Sequence, residues 1–170
     1  SSRFRISRPG PSQRLVESVG KHGVIDPPVL VEEGGRFVPL TGHNRLHAAS
    51  ANGLKTVSCL IAPAAEYGLF LGNASLKNFR GELGSVGRMR AAAIAAGLKG
   101  ISYPDDAICS ALELPCSPAL KTGEVLSLDE RLLSYCDEKS VPLKTLVSLA
   151  AFPAPLPGAL TGWIAKQNVR

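Results

Sequence analysis

Residues 15–54 read LVESVGKHGVIDPPVLVEEGGRFVPLTGHNRLHAASANGL, and the order of signals in this stretch decides the fold. Leu15, Val16 and Val19 recur at helical spacing, with Pro11 and Ser12 as a start signal and Gly23 as a stop. The spacing predicts a helix over 11–22. Val29-Leu30-Val31 is a short β-branched run, and Arg36–Leu40 is a second one. The glycine-rich stretch Glu32-Glu33-Gly34-Gly35 between them predicts a β-hairpin. Thr41-Gly42-His43-Asn44-Arg45 then leads into the helical stretch Leu46–Ala51, which Gly53 ends. Thr56–Ile61 completes the unit as a further strand. About 60 residues therefore alternate α-β-β-α-β, a small α/β arrangement.

Gly42 falls between a strand and a helix. Amides at such a turn point outward at the positive end of the helix dipole, which is a natural place for an anion. Arg45 adds a planar fork that matches phosphate oxygens, and His43 and Asn44 add further donors. By spacing alone the plainer account is a tight turn, with Asn44 capping the helix and Arg45 in solvent.

The second half changes character. Helices are expected over 64–76, 86–98, 104–112, 117–125, 128–138 and 141–151. The PAPLPG stretch at 153–158 reads as a proline-rich break before a last short helix over 159–170. The expected fold class is α+β: an α/β domain over 1–82, an all-helical domain over 83–152, and the break with its terminal helix over 153–170.

Composition agrees with a folded chain. Of 170 residues, 45% are hydrophobic and 19% charged, so this is not a solvated disordered segment. Aromatics are only 5%, so the core must be mostly aliphatic. No apolar run is long enough to span a membrane, and no membrane partner is expected. Ser1–Arg8 is basic with no apolar stretch behind it, unlike a secretory signal. The absence of an initial Met reads as trimming of the chain.

The net charge of +5 is unevenly placed. Arg3, Arg5, Arg8 and Arg14 occupy the first fourteen residues without an acid. Lys77, Arg80, Arg88, Arg90 and Lys99 face only Glu82 within 77–99, whereas 101–138 is acidic. Two basic patches suit a polyanion such as a nucleotide or nucleic acid, or simply a solubilising surface.

Cys59, Cys109, Cys116 and Cys136 form no CxxC pair and have no His at zinc-ligand spacing, so they read as buried reduced thiols. Cys109 and Cys116 would share a face of one helix, but Pro115 interrupts it. His43 and His47 share a helical face without a third metal ligand, so no metal is expected.

The segment from Leu15 to Ile61 resembles the N-terminal domain of the ParB family, which includes chromosome and plasmid partition proteins and related regulators. The resemblance rests on the order LVESVGKHG, VIDPPVLVEEGGRFVPL and TGHNRLHAASANGL, then a strand. These match the family's helix end, its Pro-hydrophobic strand and its G-E-R-R turn. The family implies that this turn grips the triphosphate of a nucleotide, CTP in partition proteins or ATP, with Mg.

Gly42 and Arg45 match that turn best, while His43 and Asn44 stand where Glu and Arg are common. Asp26 replaces a usual Gln. Asn78 and Arg80 match loosely a segment that also reaches the phosphates, with Lys77 in place of a Glu. Sulfiredoxin shares the fold but carries a reactive Cys where this chain has His43, so sulfinic acid repair is not expected. Relatives that transfer phosphoryl groups use a Glu as base, and nothing distinguishes Glu17, Glu32 or Glu33 for that part. No catalytic residue is assigned, and a ParB-type nucleotide triphosphatase stays open.

Residues 101–126 fit helix, turn, helix, with a sharp break at Glu113–Cys116. The ParB family carries a helix-turn-helix after its nucleotide domain, and LDERLLSYCDEKSVPLKTLVSLAAFP resembles the helices that support it. The resemblance thus implies a DNA partner, a homodimer, and a cytoplasmic site on nucleoid or plasmid. Ser117, Lys121 and Thr122 are the candidate DNA contacts on the second helix, with Arg88 and Arg90 for phosphates. Lys121 is the only cation of that helix, and Glu124 offsets it. The competing readings are a kinase or nuclease of the same fold, and a protein-contact module without ligand chemistry.

Overall fold

The computed structural model describes residues 3–6, 10–63, 66–153 and 155–167. The chain is α+β and mostly helical, with one three-stranded sheet among the described residues. It divides into two compact units, Ser1–Phe70 and Leu71–Arg170. The division falls inside a helix, ahead of the boundary near residue 82 expected from the sequence.

In the first unit α1 (Gln13–His22) starts at Ser12, whose hydroxyl accepts the Leu15 amide at 3.2 Å. It stops at Gly23, which takes a positive φ of 69°. β1 (Val29–Glu33) and β2 (Arg36–Pro39) form the expected antiparallel hairpin. Its two-residue turn is Gly34-Gly35, with φ of 57° and 72°, a backbone hand that matches the strands' twist. α2 (His43–Ala51) follows, and β3 (Leu60–Ala62) pairs parallel to β1, giving the order β2-β1-β3.

β3 begins later than the strand expected over 56–61. Continuing it backwards would lay Cys59 and Ser58 beside Pro28 and Pro27, which have no N–H to give to a ladder. Pro63 ends it on the other side.

α1 packs on α2 through Val19, Ala48 and Ala49, with Leu15, Val16, Val24 and Val57 around them. Asn52 fastens the pair, since its Nδ2 donates to Val16 O and Ala48 O, each at 2.8 Å. A side chain at Gly20 would start 2.5 Å from Asn52 Oδ1, so Asn52 would have to shift to admit one. Val31 and Val38 face each other in the core, where Leu40 is also buried. Phe4 and Phe70 add a tilted ring pair with centroids 6.4 Å apart.

The division between the units lies in α3 (Tyr67–Phe79). Ala64 and Ala65, where the sequence placed this helix's start, lie outside the described residues. The second unit is built on α4 (Ser85–Lys99), whose Val86, Met89, Ala91, Ala92 and Ala95 are buried. Its alanines let α5 (Asp106–Leu112), α6 (Thr122–Leu126) and α7 (Glu130–Glu138) approach closely. α8 (Leu143–Ala150) covers α6, and α9 (Pro155–Gln167) lies on α7.

α4 is capped from a distance. Asp137 on α7 accepts the Val86 amide at 3.2 Å, and a Cβ on Gly84 would fall 2.2 Å from that carboxylate oxygen.

Two further expectations are corrected. PAPLPG is not a break before the last helix, because α9 already begins at Pro155. Prolines in a first helical turn forfeit only N–H groups that have no intrahelical acceptor. Asn168–Arg170, the end of the helix expected over 159–170, lie outside the described residues. The helix expected over 117–125 is divided: a 3-10 turn (Pro118–Leu120) is followed by the five-residue α6. Lys121 joins them in the left-handed region (φ 49°), and Thr122 and Gly123 are weak helix formers.

Candidate functional site

The segment Asp26–Val29 is the platform of the glycine turn. Val29 O accepts Leu40 N at 2.8 Å and Thr41 N at 3.2 Å, while Pro28 O accepts Leu60 N at 2.9 Å. The end of β2 and the start of β3 are thus both tied to it. Gly42 rests directly on Pro28. An added Cβ would lie 2.8 Å from Pro28 Cβ and 2.9 Å from Pro28 Cα, and φ at Gly42 is 80°. Space and backbone conformation both require glycine.

Gly42 is the N-cap of α2 and, being glycine, supplies no capping side chain of its own. The first intrahelical bond is from Leu46 N to Gly42 O at 3.1 Å. The amides of His43, Asn44 and Arg45 therefore belong to the first turn, where N–H groups lack helical acceptors. The expected cap by Asn44 is not made, since the cap is Gly42 itself.

Arg45 lies across the platform. Its Nη1 donates to the carbonyl oxygens of Asp26 and, at 3.4 Å, of Pro27. The same nitrogen lies 2.5 Å from Asp26 Oδ2. Arg45 is about one quarter exposed, whereas the Asp26 side chain is 79% exposed. The guanidinium is therefore not free in solvent: it is a half-buried brace that already carries a carboxylate. The sequence reading did not pair these residues, although the DPP at 26–28 was the available signal.

Gly42, His43, Asn44 and Arg45 lie together in the first unit. Asn78 and Arg80 belong to the second unit, at and just after the end of α3. Arg80 Nη1 is 4.0 Å from Glu82 Oε1, and Phe79 beside it is 86% exposed.

The candidate DNA contacts share one unit but differ in availability. Ser117 caps the 3-10 turn, accepting Ala119 N at 3.2 Å. Lys121 is exposed and ion-paired with Glu124 at 2.9 Å. Thr122 faces the core and is 7% exposed, so it does not present its hydroxyl to a groove. Arg90 is held by Glu130 at 2.6 Å with 11% of its side chain exposed, bracing α4 to α7. Arg88 donates to Glu113 O at 3.3 Å, at the left-handed C-cap of α5. Of the basic opening segment, Arg3 pairs with Glu33 at 2.7 Å, and Arg8 lies outside the described residues.

α5 has its own cap. Asp105 accepts Ile108 N at 3.1 Å and pairs with Lys99 at 2.8 Å. The hydrogen bond from Lys99, then the Ile108 amide, holds its carboxyl below the usual carboxylate range. Among the four cysteines, Cys109 and Cys136 are buried, Cys59 is half-buried and Cys116 is exposed, which corrects the expectation of uniformly buried thiols. Among the described residues, no helix is long and apolar enough to cross a membrane.

Comparison with solved structures gives a likeness in fold. The chain is similar to the C-terminally truncated chromosome-partitioning protein ParB from Caulobacter crescentus, crystallised in complex with the centromeric parS site. The alignment covers 92% of this chain and 81% of that one, at 19% identity and a TM-score of 0.43. No family model and no curated protein matches the sequence.

Proposed function

We propose that this chain is a ParB-like DNA-associated protein of the partition or regulator type, in which the Gly42–Arg45 turn holds the phosphates of a nucleotide. The observation that carries this reading is the start of α2 on a positive-φ glycine, with the Arg45 guanidinium braced on the backbone of Asp26 and Pro27. First-turn backbone amides and a planar cation are the groups that phosphate recognition uses.

Asp26 pairs with the guanidinium. Because the Asp26 carboxylate is mostly in water, an incoming phosphate can compete with it for the guanidinium. Asn78 and Arg80 are proposed further phosphate contacts. Mg as counterion, triphosphate hydrolysis and homodimerisation belong to the same reading. DNA contact is assigned to Ser117 and Lys121 in the helix-turn-helix segment, with Arg88 of α4 for phosphates.

Titration calorimetry with CTP, ATP and tripolyphosphate, with and without Mg, tests the anion site. Arg45→Ala is expected to weaken binding about tenfold or more, as loss of a charge-assisted contact does. Asp26→Asn is expected to tighten it by a few-fold. No heat with any of these anions would remove the nucleotide part.

A second reading has its own observation. Arg45, Arg90 and Lys121 are all paired with acids of the same chain, which suits a protein-contact module. A salt titration of DNA binding separates the two, because phosphate contacts give an affinity that falls steeply with salt. Absence of affinity at low salt selects the module. Phosphate release driven by a small hydroxyl substrate, or cutting of labelled DNA, would select an enzyme of this fold.

A further inference from the structure

The turn between α5 and the 3-10 segment brings two thiols together. Cys109 is buried on α5, and Glu113 ends that helix in the left-handed region, sending the chain back on itself. Leu114 N closes the turn on Cys109 O at 3.0 Å. The Cys109 Sγ lies 3.5 Å from the Tyr103 hydroxyl and 4.0 Å from Pro115 O, the carbonyl bonded to the amide of Cys116. Tyr103 also donates to Pro115 O at 3.2 Å, so its hydroxyl fastens the buried thiol to the peptide that carries its neighbour. Cys116 is exposed, and its thiol donates at 3.1 Å to Oδ1 of Asp106, which stands on the same helix as Cys109.

We propose that Cys109 and Cys116 form a redox-active dithiol, which a peroxide closes to a disulfide across the turn of the helix-turn-helix segment. One sulfur is open to solvent and the other is sheltered beside it, an arrangement suited to an attacking and a resolving thiol. The Cys116 thiolate attacks one peroxide oxygen. An S–O bond forms, the O–O bond breaks, and the departing hydroxide takes a proton to become water. The Cys109 thiolate then attacks the sulfenic sulfur. An S–S bond forms, the S–O bond breaks, and a second water leaves. Two thiols lose two electrons and two protons, and hydrogen peroxide is reduced to two waters.

The environment sets the response. Hydrogen bonding to Cys109 and then to Asp106 pushes the Cys116 thiol up to about 12, so little thiolate exists near neutral pH. The pair reacts through that small thiolate fraction. Its product acts on the segment proposed to meet DNA, since Cys116 directly precedes Ser117, the cap of the 3-10 turn.

The sequence supplies a direct test. No Lys or Arg lies between Gly100 and Lys121, so trypsin releases both cysteines in one peptide. After the full-length wild-type chain is treated with hydrogen peroxide and then alkylated, peptide 100–121 is expected to be lighter by two hydrogens and free of alkyl groups. Thiol reductant should restore two alkylation sites. Cys109→Ser and Cys116→Ser should each abolish the loss of two hydrogens, and Cys59→Ser should leave it. Recovery of the peptide with two alkylated thiols after prolonged oxidant, or with Cys116 as sulfinic acid beside an alkylated Cys109, would overturn the proposal.

Discussion

The glycine turn at Gly42–Arg45 and the segment Ser117–Thr122 both follow a break in the chain, and both were candidate polyanion contacts. They meet the same backbone demand differently. The first places a left-handed residue at its helix start and uses glycine. The second places one at Lys121, a residue with a Cβ and a long side chain. The first opens a nine-residue helix on a glycine cap, whereas the second splits into a 3-10 turn and five residues. In the first, the cation braces the backbone; in the second, Lys121 pairs with its near neighbour Glu124 and Thr122 turns inward. Positive charge in a sequence thus says little about availability until the acidic neighbours are placed.

The largest expected effect is at the first region. Gly42→Ala forces a Cβ into Pro28 at a φ that disfavours it, and should cost about 3 kcal/mol in stability by urea denaturation. A cost under about 1 kcal/mol would mean that the turn relaxes, and the contrast with Lys121 would lose its basis.

Next comes the frame of the second region. Gly84→Ala drives a methyl into Asp137 and displaces the remote cap of α4. The expected loss is about 2 kcal/mol by thermal or urea unfolding. Asp137→Ala should lose about 1 kcal/mol at the same site, because it removes the cap without the clash.

The smallest effect sharpens the comparison itself. Lys121→Gly relieves a left-handed side chain and should change stability by less than about 1 kcal/mol, in the stabilising direction. If Lys121 meets a phosphate, the same variant should lower DNA affinity and reduce the salt slope by about one. Higher stability with unchanged affinity would remove Lys121 from the interface.

Much of the first unit was legible because its punctuation is local. Ser12, Gly23, Gly34-Gly35 and Gly53 mark boundaries by backbone rules that need no distant partner, and α1, the hairpin and α2 follow from them. β3 was legible in kind but not in extent, because Pro27 and Pro28 on the partner strand's approach decide where pairing begins. The helices of the second unit were legible from capping residues such as Asp105 and Asp129, each of which accepts an amide of its own first turn. The division at Lys121 was not, since helix propensity over nine residues does not report where tertiary packing pulls Leu120 and Val125 into the core.

By itself the sequence determined the element order, the glycine turn and the set of polar residues near each candidate contact, because local conformational preferences and hydrophobic spacing act over a few residues. Only the tertiary structure decided that Arg45 lies on Asp26, that Arg90 braces Glu130, that Asp137 caps α4, and that two cysteines separated by Pro115 share one turn. Those pairings join residues from separate elements or across a reversal of the chain, and their distances exist only once the backbone has folded.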